Sequence, residues 1–402
     1  MSATPKIAIV GAGPAGLTLG AILQKNSIPF TIYDSDKSAH ERNQGGTLDL
    51  HPKGGQAALI KAGLWDEFTK YARPESDVLK IVKNNGEVLW DGNTTDKREI
   101  PEEDKFSNRP EIDRSALKEI LLGAVKPEAI QWGKHLKEAV AGEGGRYDLH
   151  FADGTIEKDF DLIIGADGAW SKIRKLVTDA TPEYSGISLI ECWAYNVAKK
   201  NPWMSEYVGA GSLYSFGEGR TVQIQRIGDG SVRTYACLRK PESFLQDCGV
   251  DWTKPGPAKE KYVKEYFDDC GADLKRMILE SNDMLVTRTL YQLPVGFKWD
   301  SRPGVTLIGD AAHLMTPFGG VGVNAAMMDS LSLAEELIKY VQGGESKSIA
   351  DVVKQYETDM FPRGELFAQK TMSNMQKHFS AGGSEHLAGR LIAAYRKPAQ
   401  TS

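Results

Sequence analysis

The chain has 402 residues, 41% of them apolar, enough for a sizeable core divided among two or three packed units. Its formal net charge is -5, with acids and bases interspersed and no basic block, which disfavours nucleic-acid binding through phosphate contacts. The cysteines show no C-x-x-C spacing, no run approaches about 18 consecutive apolar residues, and a strand starting at Lys6 leaves no room for a signal peptide, so a reduced, cytoplasmic chain without stable membrane insertion is expected.

Lys6 to Asp34 reads as a buried strand, a glycine turn, a helix and a second strand, the first βαβ unit of a dinucleotide-binding fold. The turn is Gly11-Ala-Gly-Pro-Ala-Gly16. Gly11 serves the tight turn, Gly13 lets backbone approach a pyrophosphate, and Gly16 lets the helix pack on the strand; Pro14 and Ala15 open that helix. Its N-terminus offers unpaired N–H groups to phosphate. Asp34 ends the second strand, where an acid accepts hydrogen bonds from ribose hydroxyls. This pattern does not separate NAD from FAD.

Next come Gln44-Gly-Gly-Thr-Leu-Asp-Leu-His51 and a helical run from Gln56 to Ala62. Val78 to Val82 and Glu87 to Trp90 flank a Lys-Asn-Asn-Gly turn and predict a hairpin of a second, inserted sheet. Arg114 opens an amphipathic helix with Asp113 available as its N-cap. After strands near Leu136 to Val140 and Tyr147 to Phe151, Asp161-Leu-Ile-Ile-Gly-Ala-Asp-Gly168 brings glycines and an acid to the carboxyl end of another buried strand. Ser212 to Phe216, Thr221 to Ile227 and Ser231 to Leu238 alternate between glycine turns and predict an antiparallel sheet. Ala258 to Cys270 is expected as a helix, with Tyr262, Tyr266 and Cys270 packing into core.

A third corner follows Val305-Thr-Leu-Ile: Gly309-Asp-Ala-Ala-His-Leu-Met-Thr-Pro-Phe-Gly-Gly-Val-Gly-Val-Asn324, opening a long helix to about Tyr340. A closing helix is expected from Ile349 past Lys377. His313 reads as a hydrogen-bonded structural group in preference to a base. No hydrolase, zinc or nucleoside-triphosphatase motif occurs, so no metal site is expected and no side chain is assigned as catalytic.

The three corners together resemble the signature set of the single-component FAD monooxygenases, the para-hydroxybenzoate hydroxylase-like family. Within it the chain is most similar to the tetracycline destructases, through Gly45-Gly-Thr-Leu-Asp-Leu-His51, Ile112-Asp-Arg114, Ser171-Lys-Ile-Arg-Lys-Leu-Val-Thr-Asp179 and Gly309-Asp-Ala-Ala-His-Leu-Met315. The resemblance implies an α/β fold: a Rossmann-like FAD-binding domain with a parallel sheet (1–75, 105–180, 285–340), an inserted antiparallel-sheet substrate domain (76–104, 181–284) and a long C-terminal helix within a segment 341–402. It implies FAD contacts at Asp34, Asp49, Arg114 and Asp310, and an NADPH-associated arginine at Arg42. Pro317, Gly320, Gly322, Val323 and Asn324 would face the flavin ring.

The implied reaction is hydroxylation of an aromatic or polycyclic small molecule by O2 and NADPH through a flavin C4a-hydroperoxide, in a monomer, with tetracycline among the substrates it suggests. Substrate contacts are expected at Glu191, Ser212, Phe216, Met315 and Phe318. At Glu191 and Ser212 the destructases carry Gln and Arg. A flavin-binding protein that sequesters a ligand, or another flavin oxidoreductase on this scaffold, stays open at this point; the halogenase W-x-W-x-I-P stretch is absent.

Overall fold

The computed structural model describes residues 4–41, 45–95, 101, 104–343 and 348–395. The chain is α/β and divides into two compact units, one of residues 1–72, 114–183 and 291–371, the other of 73–113, 184–290 and 372–402.

In the first unit five strands form a parallel sheet in the order Val305–Leu307, Leu162–Gly165, Ile7–Val10, Thr31–Tyr33, Ile130–Gln131. Every residue of Ile7–Val10 and Leu162–Gly165 is buried, which explains why these strands read as unbroken apolar runs without alternation. The helices Pro14–Lys25 and Gly322–Gln342 are joined by the Ser330 hydroxyl, which donates to the Ala15 carbonyl at 2.8 Å. Leu136–Ala141, Tyr147–Phe151 and Ile156–Phe160 make a separate antiparallel sheet. The long helix expected from Ile349 runs Ile349–His378, but it does not close the chain: a further helix, Gly383–Tyr395, follows it.

The second unit is built on a seven-stranded sheet ordered Met284–Gln292, Glu183–Ala194, Val232–Arg239, Arg220–Arg226, Ser212–Gly217, Leu79–Val82, Val88–Asp91. It is not purely antiparallel as the sequence suggests: Ser212–Gly217 and Leu79–Val82 pair in parallel, because the hairpin from earlier in the chain docks on the edge of the later strands. One face is sealed by Pro255–Tyr266 and Ala272–Glu280, whose Tyr262, Leu274 and Met277 pack with Cys192, Val222 and Ala236. The first of these helices stops at Tyr266, short of the expected Cys270, and the Tyr262 hydroxyl donates to the Ala236 carbonyl. Among the described residues no helix is long and apolar enough to cross a membrane.

Candidate active site

The three glycine corners of the first unit meet. A Cβ on Gly11 would stand 2.2 Å from the Ala166 carbonyl oxygen, so the first and second corners are in backbone contact. A Cβ on Gly309 would lie 3.2 Å from the Ala15 Cβ, so the third abuts the first. Gly16 is equally closed, its missing Cβ 2.0 Å from the Gly11 oxygen. At Gly13 nothing lies within 4 Å, which leaves open the one position where a pyrophosphate is expected. Pro14 stands in the first turn of the helix and intrahelical bonding starts with Leu17 N donating to Gly13 O, so the preceding N–H groups point out of the turn.

Asp34 is buried and braces this turn: Oδ2 accepts from Ala12 N at 2.6 Å and Oδ1 from Asp36 N at 2.8 Å. A carboxylate has about four lone-pair sites, so capacity for ribose hydroxyls remains. Asp310 is exposed to solvent although protein surrounds it, the situation of a carboxylate lining an open concavity. Crowding raises its pKa, and the nearby charges of His313, Arg114 and Arg174 oppose that rise. Arg114 itself is exposed, and its N–H donates to Gly46 O, which ties the helix start to the strand Thr47–Asp49.

Asn324 is buried, and its side chain is spent on backbone: Oδ1 accepts from His51 N (2.7 Å) and Gly55 N (3.0 Å), and Nδ2 donates to Asp49 O (2.8 Å). It is a strut that holds segment 49–55 against the helix start. Any cofactor contact from Asn324 therefore comes from its main chain. Bonding inside this helix begins with Ala325 N donating to Val321 O, so the N–H groups of Gly322, Val323 and Asn324 precede it. Gly320 adopts φ +60°, and a Cβ there would be 3.9 Å from Asp49 Oδ1, which brings Asp49 to the same place. Pro317 is exposed and begins a short 3-10 turn. Arg42 lies outside the described residues.

Behind the third corner stands a network that sequence reasoning missed. Asp329 Oδ2 accepts from Gly309 N (2.9 Å) and meets His313 Nε2 (2.5 Å), while Oδ1 accepts from Arg363 Nη2 (3.0 Å). Burial disfavours the charge on His313, but Asp329 and Asp310 outweigh it and raise its pKa; Asp329 is lowered in turn by His313 and Arg363 against the cost of burial. His313 is thus structural, as its place in the motif suggests. Arg174, also buried, donates to the carbonyls of Ala311 (2.8 Å), Ala169 (2.9 Å) and Asp310 (3.1 Å), stapling the second corner to the third. The signal available for Asp329 was a carboxylate on the apolar face of a helix, between Ala326 and Leu333.

The expected substrate contacts fare unevenly. Glu191 is 1% exposed and clamped in a buried network, Oε1 accepting from Trp193 Nε1 and from Arg233, Oε2 from Arg288 Nε. Ser212 is buried in its strand. Phe216 is buried and stacked face to face on His378 with centroids 4.0 Å apart. Met315 is half-buried beside Thr371, and Phe318 is buried. Asp113, expected as a helix cap, gives its carboxylate to Arg73 Nη2 (2.6 Å) and Gly228 N (3.1 Å). Among the described residues no group of three or more potential ligands could hold a metal ion.

The cradle fits a dinucleotide: an open Gly13, two helix starts with outward N–H groups, and acids at Asp34, Asp49 and Asp310. Comparison with known proteins agrees. A family described as the FAD binding domain matches residues 4–217 and 298–373. Monooxygenase penA of Penicillium thymicola is 30% identical over 436 residues, covering 96% of this chain and 98% of that protein. Among solved structures, Klebsiella pneumoniae HpxO complexed with FAD and uric acid superposes with a TM-score of 0.74 at 19% identity, covering 98% and 93% of the two chains. The tetracycline destructase Tet(55) gives 0.72 at 17% identity, covering 98% and 96%. At these identities the superpositions establish the fold.

Proposed function

The chain belongs to the FAD binding domain family and is an FAD-dependent monooxygenase, and from that premise we propose that it uses NADPH and O2 to hydroxylate an aromatic or polycyclic small molecule. One oxygen atom enters the substrate, the other leaves as water, and NADPH supplies the two electrons. The observation that carries the reading is the meeting of three glycine corners around an open Gly13 and a solvent-facing Asp310.

FAD, when bound, supplies the redox and oxygen chemistry. The protein's part is to hold and orient. The helix start at Pro14 and the open Gly13 would receive the pyrophosphate, Asp34 the adenosine ribose, and Asp310 the ribityl hydroxyls. The N–H groups of Gly322, Val323 and Asn324 would stabilise negative charge on the ring edge by about 0.3 to 2 kcal/mol, which tunes a potential without driving turnover. Arg114 and Asp49 stand at the same corner, while the NADPH role of Arg42 rests on the motif resemblance.

Tetracycline is the specific substrate that the resemblance and the fold likeness to Tet(55) bring forward. Glu191, where the destructases carry Gln, is locked in ion pairs, so the drug would be held by other contacts. The test is oxygen uptake and NADPH oxidation by the yellow protein with a panel of phenols, enols and tetracycline. Substrate-stimulated oxidation with a product 16 mass units heavier is expected for about one added oxygen atom; a sequestering protein would bind and show neither.

A further inference from the structure

The third corner of the first unit is a single helical turn, Asp310–His313, in which Ala312 N and His313 N both donate to Gly309 O at 2.8 and 2.9 Å. Residues three apart on a helix lie on the same side, about 5 to 6 Å between Cβ atoms. Asp310 is the solvent-facing member of that pair, and His313, 8% exposed, is the buried one. A Cβ on Gly364 would stand 3.4 Å from His313 Cδ2, so the helix Ile349–His378 packs directly on the imidazole.

Asp329 fixes the turn at both ends through one oxygen, which accepts from Gly309 N (2.9 Å) and meets His313 Nε2 (2.5 Å). That carboxylate has a second cation. Arg363 Nη2 donates to its other oxygen at 3.0 Å, and this guanidinium alone balances the negative charge. A protonated His313 is therefore the surplus cation of the cluster. Its Nδ1 is buried without a hydrogen-bond partner among the described residues, so no second acceptor there offsets the charge. The other acid acting on His313 is Asp310. Burial raises the Asp310 pKa, and His313 comes first among the charges that oppose the rise, before Arg114 and Arg174. Arg174 commits its guanidinium to the carbonyls of Ala169, Asp310 and Ala311. An ionised carboxylate accepts hydrogen bonds at every lone pair, whereas a protonated one turns an oxygen into a donor, which weakens its hold on hydroxyl groups.

We propose that His313 is a positioning residue of the cofactor corner: a buried cation behind Asp310 that keeps this carboxylate ionised and so able to accept hydrogen bonds from the ribityl hydroxyls of FAD. The inference rests on the reading of Asp310 as a cofactor contact, and its first measurement needs no cofactor.

In flavin-free full-length protein, the NMR resonance of the isotopically labelled Asp310 carboxyl, identified by its absence in Asp310→Asn, is followed through a pH titration. His313→Gln keeps an N–H for Asp329 and removes the charge, and the Asp310 midpoint is expected to rise by about one pH unit, a tenfold change in proton affinity. FAD dissociation constants are then measured for the parent, both single variants and the double variant. At the pH where the parent carboxyl is half ionised, His313→Gln leaves about a tenth of it ionised and should weaken FAD about fivefold. The difference closes as pH rises above both midpoints, which a packing defect would not do. In the Asp310→Asn background the same substitution should change the affinity by less than about twofold, because the histidine acts through the acid. The shorter His313→Asn is measured beside it, and melting temperatures report that each variant is folded. An unchanged Asp310 midpoint, or an equal loss of FAD affinity with and without the Asp310 carboxylate, overturns the proposal. A shifted midpoint with unchanged FAD affinity in Asp310→Asn overturns instead the reading of Asp310 as a cofactor contact.

Discussion

Gly11 and Ala166 are packed so closely that a Cβ on Gly11 would stand 2.2 Å from the Ala166 carbonyl oxygen, and Gly11 holds φ +113°, a conformation L side chains rarely adopt. One glycine further along the same turn, Gly13 has open space. Gly11→Ala is therefore expected to cost about 2 to 4 kcal/mol of stability through strain and overpacking. Gly13→Ala should keep stability within about 1 kcal/mol and weaken FAD binding about tenfold or more. Denaturant unfolding and flavin titration on both variants separate the two roles; equal effects would contradict the geometry.

Asp310→Ala removes an exposed acid from the concave site without leaving a buried cavity. Flavin retained through purification should fall by a large factor, about tenfold or more in affinity, with little change in the melting temperature of the apoprotein. Unchanged flavin content would show that this corner does not hold the cofactor.

Asp329→Asn leaves His313 and Arg363 facing a neutral amide in a buried site. A loss of about 3 to 5 kcal/mol is expected for breaking such a network. The pH dependence has a definite sign. His313 has a raised folded pKa, so its contribution is full below the unfolded value and is lost as pH rises through the folded one. Asp329 is lowered, so its contribution is present above the unfolded carboxylate value and is lost as pH falls through the folded one. Thermal melts across the alkaline side should decline in the parent protein and flatten in Asp329→Asn.

His378 is covered by its stack on Phe216, and burial, with Lys377 adding repulsion, depresses its pKa to about 4. A histidine whose folded pKa is depressed contributes stability above its unfolded value, and that stability is lost as pH falls from about 6.5 to about 4. The loss is at most about 3.5 kcal/mol at about 1.4 kcal/mol per pKa unit. His378→Phe should remove this acid sensitivity in urea unfolding at about pH 7, above the window, and about pH 4.5, near its lower end.

Glu191→Gln strands two guanidiniums around a neutral amide. Burial alone would raise the Glu191 pKa, yet Arg233 and Arg288 hold it below the ordinary carboxylate range. The substitution is expected to destabilise the protein by about 3 kcal/mol. Arg288→Gln, which leaves the Arg233 pair intact, should cost less, about 1 kcal/mol.

The first unit was the more legible because its signals are local. Gly16 answers to the Gly11 oxygen inside its own turn, and the buried parallel strands leave unbroken apolar runs. The hairpin near Val78 and the long helix from Ile349 were readable for the same reason, since turn chemistry and helical period live inside short windows. Asp113 was misread because a side chain's partner is chosen in space, here Arg73 and Gly228.

By itself the sequence determined the nucleotide cradle and the α/β class, because glycine spacing and apolar periodicity are properties of the chain. Only the tertiary structure decided that Asn324 is a strut, that Asp329 ties Gly309 to His313 and Arg363, and that Glu191 is enclosed between two arginines. Each of those depends on which of many possible donors, tens or hundreds of residues away, desolvation leaves beside a buried polar group, and that choice is made when the elements pack.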